Sequence, residues 1–270
     1  MSRLSFNADL PVSTLIDLGL TSEYQEVFQR EFVYGSQRAL ELGLQPVEDV
    51  PDILVDFDDF EAVIKECHEK KIFPMYWQQR TWAPDGYRWN QNGLNYCWSW
   101  SGVAALLDML AAEGRPTPQL APVTAGGAVG WANKGNYLDS FVEWVRNDGI
   151  APAEFVPNMF ERNYRQYKEG WKEAAKGFRL RNILDTNRRA GTREMMRQVL
   201  SILKLGRPQY AAWNRLSHAM EIIGMLWTPG KWMNITLVIR NSHDETEPIE
   251  MYGENATPDE AIGFMSSEPT

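Results

Sequence analysis

The stretch from residue 91 to residue 101 constrains this chain most, because it places a cysteine where a polar loop becomes an apolar helix. It reads Gln-Asn-Gly-Leu-Asn-Tyr-Cys-Trp-Ser-Trp-Ser, and a run rich in Ala and Leu follows it as far as residue 112. A helix N-terminus carries free N–H groups and partial positive charge, which favour a thiolate over a thiol. Since the thiolate is the form that attacks a carbonyl, Cys97 is a candidate nucleophile.

Two interpretations of Cys97 compete on this evidence. Cysteine is often a small buried hydrophobe with no chemical role, and position alone does not separate packing from catalysis. The loop also supplies the carboxamide of Gln91, six residues before the cysteine. If the loop folds back, that carboxamide and the Cys97 backbone N–H donate to one carbonyl oxygen, which would form an oxyanion hole.

The local pattern resembles the active-site motif of the papain-like cysteine peptidases. In that family Gln, five residues, Cys, Trp, a small residue, an aromatic residue and Ser open the central helix. The matching positions here are Gln91, Cys97, Trp98, Ser99, Trp100 and Ser101. The chain departs from the family just before the nucleophile, where Asn95 and Tyr96 replace the usual Gly-Ser.

The resemblance also supplies the base and the orienting group that a cysteine nucleophile requires. His218 opens an apolar strand-like run, and Asn241 ends the next one within Ile-Arg-Asn-Ser. Taken singly, each residue is more typical of a strand end than of a catalytic site. On the family pattern His218 would be the general base and acid, and Asn241 would orient its imidazole.

Four residues are expected to line the substrate cleft: Tyr96, Trp98, Gly135 and Asn136. The last two take the place of a glycine pair that holds the substrate backbone in the family, so this wall of the cleft is altered. His243 stands where the family has a Trp that shields the asparagine. We therefore expect the contact between the asparagine and the histidine to be wetter than in the family.

The succession of helical and then strand-like patterns predicts an α+β, papain-like fold. Residues 1–71 are expected to form an N-terminal helical extension, either propeptide-like or structural. Residues 72–252 are expected to form the papain-like domain, with its helical half at about 90–150 and an antiparallel β half at about 190–252. The acidic tail at 253–270 is expected to pack loosely or to stay mobile.

Within these regions, the apolar spacing predicts individual elements. Helices are expected at residues 22–42, 56–70 and 192–205. Strands are expected at 209–213, 218–226, 232–240 and, more weakly, 249–252. An acidic cluster at residues 56–61 indicates a solvated first helical turn rather than a calcium site. Cys67 and His68 have too few neighbouring ligands for zinc, so we expect neither a metal nor a cofactor.

Composition excludes several classes of function. The net charge of −9 argues against nucleic-acid binding, which usually requires a basic patch. No apolar run approaches the roughly 18 residues of a membrane span, and the N-terminus lacks the apolar core of a secretory signal. The chain has 2 Cys, so a catalytic Cys97 leaves no pair for a structural disulfide. We expect a reducing compartment, either cytoplasm or virion.

Two main functions remain open. The first is a cysteine endopeptidase that acts on peptide or protein substrates. The second is a catalytically weak or inactive structural or binding protein with the same fold, for example a viral particle component, with assembly partners on the N-terminal segment. An acyltransferase or an isopeptidase would use the same residues. The state of the cleft separates them, because a cleft filled by Tyr96 or by the N-terminal segment favours binding over catalysis.

Overall fold

The computed structural model describes residues 5–17, 44–77, 91, 94–128, 138–186, 191–242 and 247–268. The helices are α1 (Val12–Asp17), α2 (Phe60–Glu69), α3 (Cys97–Ala112), α4 (Val123–Ala128), α5 (Leu138–Asn147), α6 (Trp171–Ala175) and α7 (Thr192–Leu203). The strands are β1 (Ser5–Asn7), β2 (Leu44–Pro46), β3 (Leu180–Asp185), β4 (Gln209–Trp213), β5 (His218–Trp227), β6 (Ile235–Arg240), β7 (Ile249–Tyr252) and β8 (Glu260–Ser267). The helix predicted at residues 22–42 lies outside the described residues.

Helix α3 is the central helix of the fold, and it begins at Cys97 as the sequence predicted. Every residue from 97 to 110 is buried. A helix that is apolar all round requires cover on every side, which explains its place in the interior. It packs against β4, β5 and β8 on one side and against α4 and α5 on the other.

The close approach of α3 to α5 depends on a glycine. A Cβ at Gly102 would lie 2.4 Å from Cε1 of Phe141. Phe141 is buried, and its ring packs edge-on against Tyr210 with centroids 5.4 Å apart. The ring therefore has no open space into which it can move, so even one methyl group at position 102 forces the two helices apart.

We expect Gly102→Ala to destabilise the protein, although alanine is the better helix former by about 1 kcal/mol. Overpacking a close-packed core costs about 1–3 kcal/mol, which exceeds the gain in propensity. Urea denaturation measures the difference. Gly177→Ala is the matched control, because a Cβ there meets nothing within 4 Å. Equal midpoints for both variants would contradict the close approach.

The described strands form one mixed sheet in the order β1-β7-β6-β5-β4-β8-β3-β2. The central pairings are antiparallel, whereas the edge pairs β1–β7 and β2–β3 are parallel. The four predicted strands are confirmed as β4 to β7. Strand β6 begins three residues later than predicted, because Trp232–Asn234 form a 3₁₀ turn in which Met233 has a φ of 52°. The architecture is therefore α+β, as predicted.

The prediction of a loose C-terminal tail is wrong for β8. This strand lies between β4 and β3 and pairs with both of them. Ala261, Ile262 and Phe264 are fully buried there. The sequence concealed the strand because it contains only a short apolar run within an acidic region. Strand β3 was missed for a similar reason, since its surroundings show no clear period.

The described part of the N-terminal segment belongs to the same sheet as the rest of the chain. Strand β1 pairs with β7 at one edge, and β2 pairs with β3 at the other. Helix α2 packs against β5, and its Phe60 and Ile64 share one apolar cluster with residues of β5 and β6. The boundary at residue 71 stays a prediction, and the described residues on either side of it share one core.

Cys67 lies buried on α2 and makes the fold sensitive to alkali. Burial raises the pKa of its thiol from 9.0 to about 11, and the Glu66 carboxylate adds to the rise. The unfolded chain therefore loses this proton at a lower pH than the folded chain does. The stability that the thiol contributes is complete below pH 9 and is lost as the pH rises to about 11.

We therefore expect the free energy of unfolding to fall by about 1–2 kcal/mol more in the wild type than in Cys67→Ser between pH 8 and pH 10.5. Urea denaturation of both proteins at the two pH values measures this difference. All other groups that titrate in this range are common to the two proteins, so their contribution is removed by the comparison. Parallel pH dependence in the two proteins would contradict the assignment.

Candidate active site

Cys97 is the first residue of α3, and its thiol is buried, with 5% of the residue exposed. Burial raises the pKa of this thiol to about 11, while the backbone N–H groups of Ala219, Trp98 and Cys97 itself oppose the rise. The helix N-terminus thus contributes the donors that the sequence predicted. In this closed arrangement the loss of solvent outweighs them, so the thiol needs a further cationic partner to ionise near neutral pH.

Hydrogen bonds hold the first turn of α3 in place. The Tyr210 hydroxyl on β4 donates to the carbonyl of Trp98 at 2.5 Å. The hydroxyl of Ser99 donates to the carbonyl of Pro122 at 2.7 Å. The hydroxyl of Ser101 donates back to the carbonyl of Cys97 at 2.5 Å. The cysteine is therefore fixed against the sheet on one side and against the loop before α4 on the other.

His218 and Asn241 meet through their side chains. Nε2 of His218 lies 2.5 Å from Oδ1 of Asn241. The backbone N–H of Ser242 donates to the same Oδ1 at 2.8 Å, which identifies that atom as the oxygen of the amide. Since an amide oxygen only accepts, Nε2 carries the hydrogen, and Nδ1 of the neutral imidazole is the ring atom that accepts a proton.

The backbone places this pair beside the cysteine. His218 begins β5 directly after a short 3₁₀ turn, and Ser217 between them has a φ of 47° in the left-handed region. The next residue, Ala219, directs its N–H to the Cys97 sulfur. His218 and Asn241 are 3% and 2% exposed, so the pair is as closed to solvent as the thiol.

Gln91 lies against the same asparagine turn, far from it in sequence. Its backbone N–H donates to the carbonyl of Ser242 at 2.9 Å, and its Oε1 accepts from the Ser242 hydroxyl at 2.5 Å. Its Nε2 donates to the carbonyl of Leu94 at 2.6 Å. The carboxamide is thus held by two hydrogen bonds and the backbone of Gln91 by a third, and the place of the carboxamide in an oxyanion hole stays a prediction.

The predicted cleft residues have different outcomes. Tyr96 and Trp98 lie in the apolar core, where their rings stack with centroids 5.6 Å apart. Their assignment to a cleft stays a prediction, and neither is exposed in this conformation. Gly135 and Asn136 lie outside the described residues, as does His243.

Sequence reasoning missed a buried charged cluster formed by Asp108, Glu221 and Arg240. Nη2 of Arg240 lies 2.8 Å from Oδ2 of Asp108, and Nη1 of Arg240 lies 3.3 Å from Oε2 of Glu221. The side chains are at most 1% exposed. The available signal was the presence of a charged residue in each of three otherwise apolar segments.

Among the described residues, no three His, Cys, Asp or Glu side chains gather in a way that could hold a metal ion. Within the same residues, no helix has the length and apolarity needed to cross a membrane.

The fold is similar to that of solved cysteine proteases. Xylellain, a cysteine protease from Xylella fastidiosa, matches with a TM-score of 0.53 at 13% identity, over 68% of this chain and 84% of that chain. The proform of Amb a 11, a ragweed pollen cysteine protease, matches with a TM-score of 0.52 at 14% identity, over 72% of this chain and 66% of that chain. Bromelain from Ananas comosus, in complex with the E64 inhibitor, matches with a TM-score of 0.50 at 16% identity, over 68% of this chain and 100% of that chain. No family model and no curated protein matches the sequence. The chain therefore has the papain-like α+β fold of these proteases.

Proposed function

We propose that this protein is a cysteine endopeptidase that hydrolyses peptide bonds in peptides or proteins. One observation carries the proposal: Nε2 of His218 bonds to Oδ1 of Asn241, while the N–H of the next residue, Ala219, faces the Cys97 sulfur. This arrangement leaves Nδ1 as the proton acceptor on the histidine. Packing alone does not require a cysteine, a histidine, an asparagine and a glutamine to meet at one point.

The reaction follows from these positions. Nδ1 of His218 takes the thiol proton, and the Cys97 thiolate attacks the carbonyl carbon of the peptide. The carbonyl oxygen gains the negative charge and accepts from the Cys97 N–H and the Gln91 carboxamide. The imidazolium then gives its proton to the leaving amine, and a thioester remains. Water, deprotonated by the same imidazole, releases the acid and restores the thiol.

The raised pKa of the buried thiol gives the histidine a second role. When the proton moves to His218, the new imidazolium lies beside the thiolate and lowers the cost of a buried negative charge. Asn241 maintains the proton on Nε2 and fixes the plane of the ring, so that Nδ1 stays available to accept the proton of the thiol. Substrate entry requires movement of the groups that cover the site, since Cys97 is almost fully buried.

A second candidate is a binding or structural protein that keeps the fold without the activity. The burial of Cys97 and the position of Tyr96 favour it. Tyr96 is buried, and its hydroxyl lies 3.4 Å from the carbonyl of Val123, to which it donates. A permanently covered thiol with a pKa of about 11 would be inert near neutral pH. Assembly partners on the N-terminal segment and a cytoplasmic or virion location would suit this candidate.

The rate at which iodoacetamide modifies Cys97 between pH 4 and pH 9 separates the two candidates. The experiment uses the Cys67→Ser background, which leaves one thiol. For the peptidase we expect a fast reaction that persists well below the free-thiol pKa of about 8.5, because the imidazolium stabilises the thiolate. A reaction slower than that of free cysteine throughout the range would overturn the proposal and favour the binding protein.

The N-terminal segment is proposed to be structural rather than a removable propeptide. Its strands β1 and β2 occupy both edges of the described sheet, so removal would expose unpaired backbone groups at each edge. Incubation of the full chain under reducing conditions, followed by mass spectrometry, tests this. Cleavage near residue 71 with retention of a folded, active product would contradict it.

A further inference from the structure

The charged cluster of Asp108, Glu221 and Arg240 ties together the three elements that carry the proposed triad. Asp108 lies on α3, roughly three turns after the cysteine. Glu221 lies on β5, whose first residue is His218. Arg240 is the last residue of β6, and Asn241 follows it directly. Each member of the triad therefore shares its element, or the end of that element, with one member of the cluster.

The geometry makes Arg240 the centre of the cluster. Arg240 and Glu221 are directly opposite each other in the antiparallel β5–β6 pair. The guanidinium also crosses from the sheet to the helix, where its Nη2 lies 2.8 Å from Oδ2 of Asp108. Nη2 of Arg240 therefore joins β6 to α3 by a hydrogen bond, whereas Nη1 faces Glu221 on β5 at ion-pair distance, and neither Glu221 carboxyl oxygen has a hydrogen-bond partner among the described residues.

The charges of the cluster are balanced when one carboxyl is neutral. Burial raises the pKa of Glu221 well above its usual range, and the neighbouring Asp108 carboxylate adds to the rise, whereas Arg240 opposes it. Asp108 is the hydrogen-bonded counter-ion of the guanidinium, and Arg240 is the common cationic partner of both acidic side chains.

Stability alone is a weak reason for such a cluster. Buried ion pairs are often no more stabilising than apolar side chains of similar volume, because removing charges from water is costly. They differ from apolar contacts in direction, since a guanidinium and a carboxylate bond in few orientations. The directional bond between Arg240 and Asp108 fixes the end of β6 against α3 more closely than non-directional packing does, and β5 is tied to the same point because Glu221 lies opposite Arg240 in the β5–β6 pair.

We propose that Asp108, Glu221 and Arg240 act as positioning residues that set Cys97, His218 and Asn241 at reacting distance. This inference rests on the proposed peptidase function. A displacement of the reacting groups by about 1 Å is enough to lower a rate by roughly a hundredfold. None of the three side chains needs to touch the substrate for this role.

A charge-free variant separates positioning from stability. In Asp108→Leu/Glu221→Met/Arg240→Met, apolar side chains fill the volume, so we expect a folded protein that unfolds cooperatively. We expect kcat to fall by about tenfold to a hundredfold while KM changes by less than about threefold. Arg240→Lys keeps the charge but loses the planar fork, and we expect an intermediate kcat. Glu194→Gln, which breaks a partly exposed ion pair on α7, is the control.

A spectroscopic readout makes the test independent of turnover. In protein labelled with ¹⁵N-histidine, the imidazole resonances of His218 report its bond to Asn241, and we expect them to shift in the charge-free variant and to stay unchanged in the control. If the wild type hydrolyses no peptide, the proposed function fails, and this readout still decides the role of the cluster. A folded charge-free variant with wild-type kcat and unshifted His218 resonances would overturn the inference.

Discussion

His218→Ala is expected to lower kcat for peptide hydrolysis by at least about a thousandfold. General acid–base catalysis by a positioned side chain contributes about 10²–10⁴ to a rate. The variant also loses the imidazolium, so the Cys97 thiol keeps the pKa of about 11 that burial imposes. At pH 7 only about one thiol in ten thousand would then be ionised. Turnover of a peptide by both proteins, measured at the same pH, checks this.

The same variant changes the pH dependence in a defined direction. Because a raised thiol pKa removes the thiolate at neutral pH, alkylation of Cys97 in His218→Ala should increase about tenfold with each pH unit up to about pH 11. His68→Gln is the matched control, since His68 bonds to Tyr76 and to the carbonyl of Met225, away from the site. Equal loss of activity in the two histidine variants would indicate a general folding effect and contradict the assignment.

Removal of residues 253–270 is expected to abolish cooperative folding. The deletion removes β8, the only strand that joins β4 to β3 in the described sheet. The remaining strands would split into two groups, and the apolar face of α3 that packs on β8 would be exposed. The two large buried side chains of the strand, Ile262 and Phe264, contribute about 1.5–3 kcal/mol each. This loss is a large part of the total stability of a domain, which is about 5–15 kcal/mol.

Circular dichroism and a urea titration measure this effect. We expect the chain that ends at residue 252 to lose most of the helix content of the full chain and to show no sharp unfolding transition. A second truncation that stops after Glu268, the last described residue, is the control and should unfold like the full chain. A cooperative transition in the chain that ends at residue 252 would contradict this prediction and favour the expectation of a loosely packed tail.

The sequence was informative where local chemistry determines local structure. The change from a polar loop to an Ala- and Leu-rich run predicted the start of α3 at Cys97, and apolar runs separated by short turn-like connections predicted β4 to β7. Those elements place Cys97, His218, Asn241 and Gln91 close to one another in the fold. The motif therefore carried information on which distant residues meet, which composition does not provide.

The failures have a common physical cause, which is that burial is a tertiary property. Acidic side chains are usually exposed to solvent, yet Glu221 and Glu260 are both buried in strands. The sequence also predicted a reactive thiolate from the helix N-terminus alone. It gave no indication of the desolvation that raises the pKa of Cys97, because this depends on the residues that the fold packs around the sulfur.

The measurement that tests the central claim most directly is peptide hydrolysis by the Cys67→Ser protein and by the same protein with Cys97→Ala. Each is incubated under reducing conditions with an unfolded protein substrate, and mass spectrometry identifies the new chain termini. The account predicts cleavage that requires Cys97 and disappears in the alanine variant. A folded protein that produces no new termini, or cleavage that survives the loss of Cys97, would contradict it.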